Sequence, residues 1–361
     1  MKKLLNKEIL EHNIEKIAAY DFKNNKIFGS AYWVYQKGNV VYQKCFGTTS
    51  PETESLVTEH TIFRLASMTK PVTAVATLIL VERGLLSLSD TISRFIPEFE
   101  QIQHPITVRQ LLTHTSGIGP NAAKSEMMTS KDKQTIDATI DFILRTGLDY
   151  EPDSREEYSG YAAFDVLTKI IEIVTGMDYL SFLRREIFEP CEMNDTTFIP
   201  TKQQWNRMIS MHNRMGGINV VGETHDNCVF CDIPCTHYLG GAGLISTLNN
   251  YSKFAKMLLN RGKTDTKQIV SDKTLQLMSS PQVSEQIMPG DTRWGLGVRV
   301  IVDKHPTLPL GSFGWSGAWG SHFWIDPVNE IAAVFMKNSL IDGGAGNESA
   351  VHFEKAVYSL I

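Results

Sequence analysis

Long hydrophobic runs are missing from this chain. Nowhere does an apolar stretch approach the roughly eighteen residues that a membrane-spanning helix needs. Basic runs are missing too: no five Lys or Arg residues stand together, and 35 basic against 40 acidic residues leave a net charge of −5. That balance argues against nucleic acid or an anionic membrane as a partner. Cysteine is scarce and odd in number, five in 361 residues, so reduced thiols are expected rather than a disulfide framework. The opening "MKKLLNKEILEHNIEKIAAYDF" starts like an export signal, but Lys7, Glu8 and Glu11 interrupt any apolar core. A cytoplasmic protein is the expectation. No G-x-S-x-G elbow occurs, which counts against an α/β-hydrolase.

What is present is ordinary globular composition, 42% hydrophobic and 21% charged. The spacing of Ile9, Ile14, Ile17 and Ala18 suits an amphipathic first helix. "KIFGSAYWVYQKGNVVYQKCFGT" reads as a hairpin about "QKGN". Residues 68–84 read as a buried helix stopped by Gly84, and 90–240 as mainly helix and loop. Strand signals return in "RWGLGVRVIV", "GSFGWSGAWGSHFWID" and "EIAAVFMKN", and a helix over about 349–360 closes the chain.

Strands at both ends around a helical middle predict a segregated α+β fold. One antiparallel sheet is expected from the two chain ends, covered by the N- and C-terminal helices, with a helical lobe inserted. The expected organisation is a single catalytic domain over 1–361. Its sheet lobe spans about 1–62 plus 241–361, and its helical lobe about 63–240.

Three stretches carry chemistry. Ser67 and Lys70, in "ASMTKP", lie three residues apart where the buried helix begins, so their side chains share a face. A serine hydroxyl needs a base, and a lysine serves if burial or a nearby cation lowers its pKa. S-x-x-K alone is common by chance, and a helix cap with a surface lysine explains it equally well. Tyr158 sits in the polar loop "REEYSGY" before an amphipathic helix, where a phenol can relay protons. A half-buried core tyrosine is the alternative. Gly314, Gly317 and Gly320 punctuate "FGWSGAWG". They suggest an edge strand lining a groove, with the Ala318 amide as an oxyanion donor beside that of Ser67.

In order along the chain stand "SMTK", "LLTHTSGI", "YSGYAAFDVL", "IFEPCEMNDTTF", "GGAGLISTLNNYSKFAKMLLN" and "WSGAW". Together, over roughly residues 25–360, they resemble the serine β-lactamase-related hydrolases. These include class C β-lactamases, D,D-peptidases (penicillin-binding protein-like) and family VIII-type esterases. The resemblance implies that Ser67 is acylated, that Lys70 and Tyr158 share proton transfer, and that the Ser67 and Ala318 amides hold the oxyanion. It also implies that His114 holds its loop and is not the base. No cofactor is implied.

Departures from the pattern concern the substrate. Gly160 stands where lactamases and peptidases carry the Asn of Tyr-x-Asn, and Trp315 stands where they carry a cation. Gly160, Trp315, Ser316 and Gly317 are therefore the candidate substrate-binding residues. An apolar platform in place of a cation points to an esterase on small neutral or apolar acyl esters. A β-lactamase or D,D-peptidase is the alternative, as is a slow or non-catalytic binding module marked by Gly160. Arg293 and Arg299 are candidates to replace the missing cation. The loop "HDNCVFCDIPCTHY" offers Cys228, Cys231, Cys235 and His237, with His225, as metal-ligand types. Its order matches no familiar site, and a cysteine-bearing loop without metal is the expectation.

Overall fold

The computed structural model describes residues 4–119, 135–215, 218–223, 238–342 and 346–359. The helices are α1 (Lys7–Lys23), α2 (Thr69–Glu82), α3 (Val108–Leu112), α4 (Ile136–Thr146), α5 (Ala162–Thr175), α6 (Tyr179–Leu183), α7 (Lys202–Trp205), α8 (Leu248–Leu259), α9 (Asp272–Met278) and α10 (Glu348–Tyr358). The strands are β1 (Gly29–Gln36), β2 (Asn39–Gly47), β3 (Ile62–Arg64), β4 (Met211–Met215), β5 (Ile218–Glu223), β6 (Ile245–Thr247), β7 (Thr292–Trp294), β8 (Arg299–Ile301), β9 (Phe313–Ser316), β10 (His322–Asp326) and β11 (Ile331–Met336).

A seven-stranded sheet runs in the order β2-β1-β11-β10-β9-β8-β7, with every pairing antiparallel. Strand β1 pairs with β11 from Ala31↔Met336 to Gln36↔Ile331, so the two chain ends meet inside the sheet, one strand in from its β2 edge. All of β1 is buried, because helices cover both faces. On the outer face Tyr32, Val34, Trp324 and Phe335 pack under Leu10 and Ile14 of α1 and Phe353 and Val357 of α10. Full burial of a side chain such as Phe353 contributes about 1.5–3 kcal/mol. On the inner face Trp33, Phe323 and Val334 join the main core with α2, α5 and α8. The β1–β2 turn places Lys37 and Gly38 at φ 47° and 89°, the two left-handed residues that a tight hairpin with the twist of its strands requires.

Helix α2 is apolar nearly all round, and twelve of its residues are buried, as expected of a helix enclosed on every side. Its threonines are satisfied inside the core. The Thr73 hydroxyl donates to the Gly240 carbonyl at 2.5 Å and pairs with the Tyr179 hydroxyl at 2.7 Å, and Thr69 accepts from the Leu244 amide at 3.1 Å. These bonds draw the 240–244 segment onto the helix start.

Two expectations need correction. The middle of the chain holds a β-hairpin, β4–β5, as well as helices and loops. Strand β4 ("MHNRM") is rich in polar residues, and β5 ("INVVGE") does not keep a regular apolar–polar alternation. Strand β9 is internal, paired to β10 through Ser316 but to β8 only at Phe313 and Gly314. Only its C-terminal end is open, where β8 stops short.

Candidate active site

Ser67 lies in a one-turn 3₁₀ helix, Ala66–Met68, that runs directly into α2. Ala66 before it has a φ of 45°, a left-handed conformation costing about 1–2 kcal/mol for a side-chain-bearing residue. Such strain persists only where neighbours over-determine the backbone. Here the Leu65 amide donates to the Leu244 carbonyl at 2.9 Å. The Tyr251 hydroxyl donates to the Met68 carbonyl at 2.9 Å.

Lys70 is completely buried. Its Nζ donates to the carbonyls of Gly160 at 2.6 Å and Gly241 at 2.8 Å, and lies 3.3 Å from Ser67 Oγ. Two carbonyls take two N–H bonds, which leaves the third tetrahedral position aimed at the serine. Its Nζ also lies 4.8 Å from the Tyr158 ring centroid and 5.3 Å from that of Phe164.

The Tyr158 hydroxyl donates to Ser67 Oγ at 2.8 Å and accepts from Trp315 Nε1 at 3.3 Å. The loop bearing it is fixed from both sides. Ser159 Oγ caps the Ala163 amide at 3.1 Å, and the Ser159 amide donates to His114 Nδ1 at 3.1 Å. The carbonyl of His114 accepts from Tyr150 Oη and from the Glu157 amide, each at 3.0 Å. Burial, aided by the charges of Lys70 and Arg299, holds the His114 imidazole well below its usual pKa. It is therefore neutral, its Nδ1 is occupied as an acceptor, and it positions the tyrosine loop.

Beyond β9 the chain turns sharply. The Gly320 amide donates to the Gly317 carbonyl at 2.9 Å and the Gly317 amide to that of Ser321 at 2.7 Å. Ala318 sits exposed within this turn. A Cβ on Gly317 would lie 2.2 Å from the Leu65 carbonyl oxygen. The bare glycine thus lets the turn touch the segment that leads into Ser67. The Ser67 amide is in the opening turn of a helix, where N–H groups lack intrahelical acceptors.

Trp315, Trp294, Tyr158, Val283 and Met288 form one apolar cluster. Trp315 and Trp294 rings are 4.6 Å apart, and Trp294 is 6.0 Å from Tyr158 at a near-parallel angle. Ser316 faces elsewhere: its hydroxyl pairs with His322 Nδ1 at 2.8 Å, and His322 Nε2 with Glu354 at 2.9 Å. The Ser316 side chain is thus not brought to Ser67, whereas Trp315 is. Gly160 contributes its carbonyl to Lys70. Of the two arginines, Arg293 is tied to the Gly290 and Thr292 carbonyls at 2.7 and 2.9 Å. The Arg299 guanidinium stacks 4.9 Å from Trp315 and 5.0 Å from Trp294. Its Nε is buried without a hydrogen-bond partner among the described residues. Burial lowers its pKa, against the opposing pull of Glu156, Tyr158 and Asp291. A cavity of about 420 Å³ adjoins it, bordered by Trp315, Ser316, Leu308 and Gly346.

Three partners escaped the sequence reading: the Gly241 carbonyl, Trp294, and Asn338, whose contacts are described below. "GGAGL" marked the neighbourhood of the first, and the other two gave no signal. Cys228, Cys231, Cys235, His225 and His237 lie outside the described residues.

A buried lysine and a tyrosine converging on a serine at the head of a core helix, in an α+β fold of this topology, define a serine hydrolase. The Beta-lactamase family model matches residues 10–352, and the chain belongs to that family. The esterase EstB of Burkholderia gladioli is 25% identical over 374 residues, covering 93% of this chain and 92% of EstB. Among solved structures, EstCE1, a hydrolase with promiscuous acyltransferase activity, shares the fold. Its TM-score is 0.86 over 98% of this chain and 99% of its own, at 22% identity. The octameric penicillin-binding protein homologue from Pyrococcus abyssi matches with a TM-score of 0.77 at 25% identity, covering 95% and 75% of the two chains. Among the described residues no helix is long and apolar enough to cross a membrane.

Proposed function

We propose that this protein is an esterase that works through an acyl-enzyme on Ser67, with small esters of neutral or apolar acyl groups as substrates. The observation that carries this reading is the convergence of Tyr158 Oη and Lys70 Nζ on Ser67 Oγ, at 2.8 and 3.3 Å. Ser67 attacks the ester carbonyl and its proton passes to the Lys70–Tyr158 pair. The amides of Ser67 and Ala318 receive the carbonyl oxygen as it becomes an oxyanion. The C–O bond to the alcohol breaks, and Tyr158 donates a proton to the leaving alkoxide. Water then attacks the acyl-enzyme by the same route in reverse. The base is a property of the coupled pair, because protonation of one group changes the other. Trp315 and Trp294 support the choice of acyl group, as an aromatic wall beside the nucleophile favours apolar atoms.

Arg299 beside Trp315, whose buried Nε has no hydrogen-bond partner among the described residues, favours a second reading, a β-lactamase or D,D-peptidase whose substrate carries a carboxylate. A p-nitrophenyl butyrate assay and a chromogenic cephalosporin assay, each with wild type and Ser67→Ala, separate the two. Ester turnover abolished in Ser67→Ala is expected. Fast cephalosporin hydrolysis without ester turnover replaces the first reading by the second, and a stable Ser67 adduct without turnover indicates a binding module.

A further inference from the structure

The segment leading into Ser67 and the turn carrying Ala318 both bond to residues 338 and 339, the first through the Asn338 side chain and the second through the Ser339 backbone amide. Asn338 follows β11 and is 1% exposed. Its Oδ1 accepts from the Arg64 amide at 2.9 Å, and its Nδ2 donates to the Arg64 carbonyl at 3.0 Å. The side chain therefore pairs with the end of β3 as a neighbouring strand would. A second Nδ2 hydrogen goes to the carbonyl of Lys337 at 2.7 Å, fixing the amide plane. The next peptide turns the other way: the Ser339 amide donates to the Trp319 carbonyl, 2.9 Å away in the Gly317–Gly320 turn. The Asn338 carbonyl accepts from the His212 amide of β4 at 2.9 Å, which anchors the clamp itself.

Two backbone segments approach each other at the site, one leading into Ser67 and one carrying Ala318. Ala66 between Arg64 and Ser67 is in a left-handed conformation, so the register of Arg64 determines where Ser67 emerges. We propose that Asn338 is a positioning residue that sets the spacing of the Ser67 and Ala318 amides by holding Arg64 and the Ala318 turn in one frame. The inference rests on the acyl-enzyme reading above.

Asn338→Asp tests it through chemistry that a purely structural role does not share. A protonated aspartic acid reproduces one donor and one acceptor toward Arg64, whereas the ionised form sets a carboxylate against the Arg64 carbonyl. Burial raises the pKa of such a carboxyl, while the cations on the segments it bonds, Arg64 of β3 and Lys337 (itself paired with Asp342), lower it, as does His212 of β4 when protonated. The profile is therefore read across about pH 5 to 9. With p-nitrophenyl butyrate, kcat at pH 8 is expected to fall about 100-fold, the effect of an ångström-scale misplacement, with KM changed by less than about threefold. The ratio of variant to wild-type kcat then rises as pH is lowered. A kcat within about threefold of wild type at every pH, a loss confined to KM, or a loss independent of pH overturns the inference. Should Asn338→Asp fail to fold, Asn338→Ser carries the test through the rate of Ser67 labelling by a fluorophosphonate. Labelling as fast as in wild type overturns it. Turnover that survives Ser67→Ala, by contrast, removes the acyl-enzyme reading itself.

Discussion

Gly317→Ala adds a single methyl where the oxyanion turn meets the nucleophile segment. The added Cβ lies 2.2 Å from the Leu65 carbonyl oxygen and 3.2 Å from its carbon. An unstrained carbon–oxygen contact is about 3.3 Å or longer, so the segments must part by about 1 Å. The φ of Gly317 is outside the left-handed region, and the effect is therefore steric alone. The Leu65 carbonyl cannot yield freely, because it accepts from the Met68 amide at 3.1 Å in the turn that holds Ser67. Separation of Leu65 from Gly317 also separates the two oxyanion amides, each one or two residues further along. Loss of one oxyanion donor costs about 10²–10³ in kcat. Gly317→Ala should approach that, with KM changed by less than about threefold and a stability loss of about 1–3 kcal/mol from overpacking. Steady-state ester hydrolysis and urea denaturation measure the two separately. A folded variant whose kcat stays within threefold of wild type would refute the close-approach argument.

Two further outcomes are expected. Tyr158→Phe removes the hydroxyl that donates to Ser67 and accepts from Trp315, and kcat should drop about 10²–10⁴-fold with the fold intact. A drop of less than about tenfold would leave Lys70 as the sole proton carrier. Glu354 tests the pH dependence of stability: burial raises its carboxyl, but His322 and Thr307 outweigh this and hold it below the usual glutamate range. Because the folded value is the lower one, the stabilisation is present above the unfolded pKa of about 4.3 and is lost as pH falls through the folded value. Glu354→Gln should therefore cost about 1–2 kcal/mol in urea at pH 7, with the gap between variant and wild type narrowing as pH is lowered to about 3. An equal gap at both pH values contradicts that assignment.

Much of the site was readable in the chain. Ser67 and Lys70 share a helix face by spacing alone, and local hydrogen bonding sets that geometry wherever the helix goes. Tyr158 and Trp315 were legible as residues out of place, an aromatic in a polar loop and another among glycines. Ser316 shows the limit: a strand sends neighbouring side chains to opposite faces, and only the sheet's packing reveals that Trp315 looks toward Ser67 and Ser316 toward α10. The β4–β5 hairpin escaped because β4 is polar and β5 keeps no regular apolar–polar alternation.

By itself, then, the sequence determined most of the elements (the β4–β5 hairpin apart), the antiparallel sheet drawn from both chain ends, and the grouping of Ser67, Lys70 and Tyr158 as candidates, since local periodicity and motif order encode all three. Tertiary structure alone decided what surrounds that set. It placed Arg299 rather than Arg293 beside Trp315, and it set the carbonyls of Gly160 and Gly241 on Lys70 and the Asn338 side chain on Arg64, contacts that join residues 90, 171 and 274 positions apart. Backbone carbonyls and amides carry no residue identity, so contacts made through them leave no mark on the sequence until the chain has folded.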